Sequence, residues 1–132
     1  MIFGNRKTVA ACRYGVLGFV FLWFFIGGIA HFAFTNSEMQ IVPPALPDPR
    51  LMVLTSGLFE LFGAAGLLLR PTRSVAGWGL VLLTIAVTPA NIFMWQHPAD
   101  FPGIPDWALT LRLLFQVVLV FGIWWSTRPY GP

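Results

Sequence analysis

The residue that most constrains this chain is Glu60. It stands at the centre of the apolar run Leu51 to Leu69, LMVLTSGLFELFGAAGLLL, and is the only charge in it. A carboxyl group at the middle of a membrane-spanning helix costs about 2.5 to 3.5 kcal/mol on insertion scales, so such a group is normally turned inward and given a partner. It is too short to snorkel to an interface from that depth. Polar residues suited to that task fall at helical spacings elsewhere in the chain. His31 lies three and four residues after Gly28 and Gly27, and Ser56 stands one turn before Glu60. Thr84, Thr88 and Asn91 follow an i, i+4, i+7 pattern, and Arg112 and Gln116 are four apart. Residues at these spacings share one helix face.

The elements that must position them are long apolar helices. Of the 132 residues, 57% are hydrophobic and 10% charged, with mean hydropathy +0.75. A soluble domain carries about 25% charged residues, so the chain is expected to be an all-α membrane protein, a bundle of four transmembrane helices. The runs predict spans over residues 14–34, 51–69, 75–94 and 107–126, within a single domain, 1–132. The first run is longer than the ~7 to 15 residues of a signal-peptide core and is expected to stay as an uncleaved helix behind a short polar leader, Met1 to Arg13. Asn36 to Arg50 holds Pro43, Pro44, Pro47 and Pro49. It is expected to be a stiff loop lying on the membrane surface or folded over the bundle mouth. The short RPTR connection, Arg70 to Arg73, makes the second and third helices antiparallel neighbours. Pro89 predicts a kink in the third helix near Ile85 or Ala86.

Charge is sorted by loop. Arg6, Lys7, Arg13, Arg70, Arg73 and Arg128 lie in segments without acidic residues, whereas Glu38, Asp48, Asp100 and Asp106 lie in the two proline-rich loops with Arg50 alone. The positive-inside rule then predicts both termini in the cytoplasm and the proline-rich loops outside. Trp95 and Trp107 are expected at the outer interface, with Tyr14, Trp78, Trp124, Trp125 and Tyr130 at the inner one. A rise of ~1.5 Å per residue puts His31 and Asn91 roughly 4 to 5 Å below the outer ends, Arg112 roughly 7 to 8 Å, and Glu60 and Gln116 roughly 13 to 14 Å. All of these depths fall in the outer half of a core about 30 Å thick. The expected arrangement is a dry inner half and a polar pocket that opens outward.

His31, Ser56, Glu60, Thr88, Asn91, Arg112 and Gln116 are therefore candidate ligand-binding residues for a lipid-soluble molecule with a polar head. Glu60 would either pair with Arg112 or be protonated, and a protonated carboxyl can donate to a quinone-type carbonyl. Structural readings stand beside this one. Ser and Thr in membrane helices commonly bond their own i−4 carbonyl, Asn and Gln can simply join helices, and Arg112 can reach the outer surface without meeting Glu60. Several classes are excluded. The net charge of +3 is spread over short loops, so nucleic acid is not a partner. Cys12 is the only cysteine, which rules out an intrachain disulfide, a dithiol centre and a thiolate metal site. His31 and His97 are too differently placed for haem, and no metal site is expected.

GGIAHF at the end of the first helix, the IVPPALPDP loop, SGLFELFGAAGLLL and TPANIFM together resemble the DoxX-like family of small four-helix bacterial membrane proteins. His31, Pro44, Pro47, Gly57, Glu60, Pro89, Asn91 and Met94 match its pattern. The family takes its name from a subunit of a membrane oxidoreductase that passes electrons from sulfur compounds to quinone. The resemblance implies a multi-pass protein of the bacterial inner membrane, in contact with membrane lipid, that serves as an accessory or quinone-binding subunit beside a redox partner. The lone Cys12 leaves the chain without dithiol chemistry of its own. An intramembrane enzyme acting on an isoprenoid-like lipid, with Glu60 as acid or base and His31 as counterpart, is the alternative. Whether the chain is catalytic, which cofactor it holds and its oligomeric state stay open. A proton path across the membrane fits less well, because no ionisable group continues from Glu60 through the inner half.

Overall fold

The computed structural model describes residues 2 to 129, with side chains from Asn5 onward, and every regular element in that stretch is helical. The first helix, α1, runs Ile2–Ala33. It takes in the expected polar leader, so Arg6, Lys7 and Arg13 extend the helix rather than precede it. No proline or glycine pair interrupts that stretch, and Arg, Lys and Ala are good helix formers. At the other end of α1, the Thr35 hydroxyl donates to the His31 and Phe32 carbonyls at 2.8 and 3.1 Å and satisfies its open last turn. A short helix, α2, Thr35–Met39, follows at once. The prolines begin only at Pro43, so this first part of the expected loop is free to wind.

The next span, α3, is Pro49–Leu67. Asp48 caps it, accepting from the Leu51 amide at 3.2 Å, and Pro49 occupies the first turn, where its missing N–H costs nothing. Asp48 adopts the left-handed conformation, φ 44°, which Asp tolerates better than most residues with a side chain. The connection to α4, Arg70–Ala86, is only two residues long because the first turn of α4 caps the end of α3. Thr72 donates to the Gly66 carbonyl at 2.7 Å, and Arg73 Nε donates to the Leu67 carbonyl at 2.9 Å. The third span breaks at Val87, two residues before Pro89, and resumes as α5, Thr88–Gln96. Proline cannot donate to the carbonyl four residues back and crowds it, which places the break just ahead of the ring. One 3₁₀ turn, Pro98–Asp100, precedes the last span, α6, Asp106–Thr127.

Among the described residues, four helical segments are long and apolar enough to cross a membrane: Asn5–Ala33, Pro49–Leu67, Arg70–Gln96 and Asp106–Thr127. They form a ring in which α1 packs on α3 and α6, and α4 packs on the same two, so α3 and α6 are diagonal. The outer faces are apolar, with Ile26 62%, Val117 71% and Val75 76% exposed. Such faces suit lipid and not water, and the protein is a multi-pass membrane bundle.

The two ends of the bundle differ. One end gathers arginines. Buried Arg13 donates to the Arg128 carbonyl at 2.5 Å, Arg70 reaches the Tyr14 hydroxyl, and Arg128 lies over the Trp124 ring. Beside it lies a hydrophobic cluster built on Leu17, Val20, Phe24, Leu67, Leu80, Leu119 and Ile123, with the hydroxyls of buried Ser126 and Thr127 turned back onto the Ile123 carbonyl. The opposite end is the mouth where α1 ends and α3 begins. There Met94, Phe101 and Leu109 form a second cluster, and Ile41 and Ile104 from the two proline-rich connections pack against it. The first of these connections is therefore folded over the bundle mouth. Tyr130 lies outside the described residues.

Candidate functional site

Helices α1 and α3 approach closely enough that their glycines are in backbone contact. A Cβ added to Gly57 would sit 2.6 Å from His31 Cβ and 3.2 Å from the Gly28 carbonyl oxygen, and one on Gly28 would sit 3.1 Å from the Gly57 carbonyl oxygen. Small residues are what permit this kind of crossing in a membrane. The crossing sets the register of everything above and below it. His31 is brought beside the second turn of α3, where its Nδ1 lies 2.9 Å from the Val53 carbonyl oxygen. A carbonyl oxygen only accepts, so Nδ1 carries the hydrogen and Nε2 is the nitrogen left for chemistry.

Nε2 faces carboxylates on both sides. Glu60 Oε2 is 3.6 Å away and Glu38 Oε2 is 4.0 Å away. Helical side chains lean toward their own N-terminus. The N-terminus of α3 is at the mouth and that of α1 is at the far end, so Glu60 and His31 lean toward each other. The Glu60 side chain is 12% exposed and the Glu38 side chain 28%. Glu60 Oε2 lies against Gly27 and is buried with no hydrogen-bond donor among the described residues. Among the described residues, no three His, Cys, Asp or Glu side chains are arranged to hold a metal ion.

The remaining polar candidates form a second group between the broken helix and α6. Asn91 Nδ2 donates to Gln116 Oε1 at 2.5 Å, and Arg112 Nε donates to Asn91 Oδ1 at 3.1 Å. Gln116 Nε2 donates to the Thr84 carbonyl at 3.2 Å and to the Thr88 hydroxyl. Thr88 itself bonds the Thr84 carbonyl, and Thr84 bonds Leu80. This group fastens the open end of α4 at the Val87 break, the helix-joining role that Asn and Gln often take. Thr84 and Thr88 follow the usual i−4 pattern.

The structure thus divides the candidate residues in two. His31 and Glu60 come together. Thr88, Asn91, Arg112 and Gln116 come together elsewhere, and no hydrogen bond or ion pair joins the sets. A Glu60–Arg112 pair is not formed: Arg112 is exposed and held by Asn91, on the helix diagonal to α3. Ser56 is half-buried one turn above Glu60 and makes no hydrogen bond to either set. Counting depth from the helix ends separated His31 from Glu60 by about two turns, yet they are neighbours. The first turns of α3 rise beyond the end of α1 and pack against α2, which shifts the register. Glu38 was missed as a site residue. Its one sequence signal is its place seven residues after His31, two helical turns on, before the first proline. The Val53 carbonyl carries no such signal.

A small cavity and an open groove lie on the surface of the bundle. One, of about 20 Å³, is at the arginine end and lined by Arg13, Tyr14, Leu17, Arg73 and Ser126. The other is an open apolar groove of about 530 Å³ between α3 and α4, flanked by Phe59, Phe62, Val75 and Leu82. Neither is lined by His31 or Glu60.

The pattern of a family described as a domain of unknown function, DUF8561, matches residues 20–127. The chain belongs to the DUF8561 family. No curated protein and no solved structure matches it. The DUF8561 match contains all four apolar spans' cores and both polar groups, from His31 to Gln116, and leaves out Arg6, Lys7 and Arg13.

Proposed function

We propose that this DUF8561 protein is a membrane-embedded binding subunit that holds the polar head of a lipid-soluble molecule at His31 and Glu60. Buried Glu60 Oε2, which has no donor and faces His31 Nε2 at 3.6 Å, carries the reading. An unsatisfied carboxyl oxygen in an apolar bundle is costly, and a ligand hydroxyl would relieve it. A ligand carbonyl would accept a hydrogen bond from Nε2 of a protonated His31 or from a protonated Glu60. A quinone and its reduced form offer both groups on a lipid-soluble body. With the resemblance to DoxX-like proteins, this supports an accessory role in a redox system of the bacterial inner membrane, beside a partner subunit. The arginine end then faces the cytoplasm with both termini, and the Glu38 end faces outward.

The test is native mass spectrometry of the gently extracted protein, wild type beside Glu60→Ala and His31→Ala. A lipid-like adduct on the wild type, absent from both folded variants, is expected. An adduct retained equally by both variants overturns the site.

A second reading is an intramembrane acid–base enzyme on an isoprenoid-like lipid. One observation favours it: the Val53 carbonyl fixes the His31 ring with Nε2 toward a carboxylate, the orientation a general acid–base pair needs. Turnover lost in Glu60→Gln with ligand affinity kept would distinguish it from binding alone.

A further inference from the structure

We propose that Glu38, His31 and Glu60 form a one-sided proton relay that connects the aqueous mouth of the bundle to Glu60 and stops there. The inference rests on the same His31–Glu60 site as the proposed function, and it requires no ligand.

Three observations carry it. First, the groups are graded in exposure, with Glu38 28%, His31 16% and Glu60 12% exposed at the side chain. Second, a single nitrogen serves both carboxylates: His31 Nε2 is 4.0 Å from Glu38 and 3.6 Å from Glu60, while Nδ1–H is committed to Val53. One bridging water, or a small swing of the part-exposed Glu38, closes the longer gap. Third, the far side is sealed. Gly27, Gly28 and Leu61 close the seam behind Glu60, and below them the core is Leu17, Val20, Phe24 and Leu67. Among the described residues, the ion pairs at this site are His31 with Glu60 and His31 with Glu38. Asn91 and Gln116, on the other side of the bundle, bond each other, and Arg112 is held by Asn91.

The transfer balances without any co-reactant. The O–H of a protonated Glu38 breaks as an N–H forms on His31 Nε2. That N–H then breaks as an O–H forms on Glu60 Oε2, and Nδ1–H is unchanged throughout. Water reprotonates Glu38. The product is a Glu60 carboxyl group that can hand a hydrogen to a molecule in the membrane and be reloaded from one face. Such a relay suits proton delivery to a membrane-soluble acceptor and not passage across the bilayer.

The experiment follows the infrared carboxyl signal of Glu60, identified by its loss in Glu60→Gln, in ligand-free protein reconstituted in vesicles whose two faces are buffered independently. After a pH jump the signal is expected to follow the face that carries Glu38. The rate should fall about 10-fold or more in Glu38→Gln and in His31→Ala, with Glu38→Asp retaining most of it. Free imidazole should restore the rate in His31→Ala, which loss of fold would not allow. Unchanged rates in both variants, or a response to the opposite face, overturn the relay. Because Glu38 lies on the part-exposed α2, its variants test the relay even if His31→Ala fails to fold. A relay lost while the native-mass adduct persists leaves the proposed binding function standing, and the reverse result separates them equally well.

Discussion

His31 Nε2 stands 3.6 Å from Glu60 Oε2 across a seam where Gly28 and Gly57 are in backbone contact. The pair is the product of that contact. Both side chains lean toward each other because α1 and α3 run in opposite directions.

Glu60 is retained at a cost in stability, since one of its oxygens is buried with no donor. Glu60→Met keeps similar length and removes the polar atom. Thermal unfolding in detergent should show a gain of about 1 kcal/mol or more, while the lipid-like adduct is lost. A less stable variant would mean that the carboxyl group is chiefly a structural clamp.

Gly57→Ala should separate α1 from α3, because the new methyl meets His31 Cβ, which is fixed to the helix and cannot swing away. The expected loss is about 1 to 3 kcal/mol, the usual range for overpacking. Ligand binding should fall with it, as the His31–Glu60 distance opens. Chemical denaturation together with the adduct measurement checks both effects.

Gln116→Leu removes donors to the Thr84 carbonyl and Thr88 hydroxyl at the Val87 break, and the acceptor of Asn91. A loss of about 0.6 to 1.7 kcal/mol is expected, from the average to the largest value found for side-chain bonds between membrane helices. Binding at Glu60 should be kept, because no bond joins the two polar groups. Arg112→Ala should cost less, since that side chain is exposed.

Membrane orientation can be read with a thiol reagent that does not cross the bilayer. In a Cys12→Ala background, Ser37→Cys on the exposed face of α2 should label in intact cells, and Lys7→Cys only after permeabilisation. The opposite pattern would invert the bundle and place the mouth in the cytoplasm.

Much of this architecture was readable from residue order alone. The four spans follow from local apolar length, a property each segment carries independently of its neighbours. The break ahead of Pro89 follows from a missing N–H, and the antiparallel pairing of α3 and α4 from the short RPTR connection, although Arg70 to Arg73 turn out to form the first turn of α4. Glu60 stood out for the same local reason: a charge amid apolar residues is conspicuous without any knowledge of the fold. The faces of the polar stripes came from the helical period.

Which stripe meets which did not. Arg112 was the obvious counter-charge for Glu60 by type, and the bundle gives Glu60 a histidine instead. Partner choice depends on the rotation of each helix about its axis and on the axial offset between helices. Both are set by contacts between segments far apart in sequence, here the Gly28–Gly57 approach that aligns His31 with Val53 and Glu60. The same holds for Glu38, which reaches His31 only because α2 folds against the protruding first turns of α3. Local pattern assigns a residue to a helix face, and packing between helices determines what that face touches.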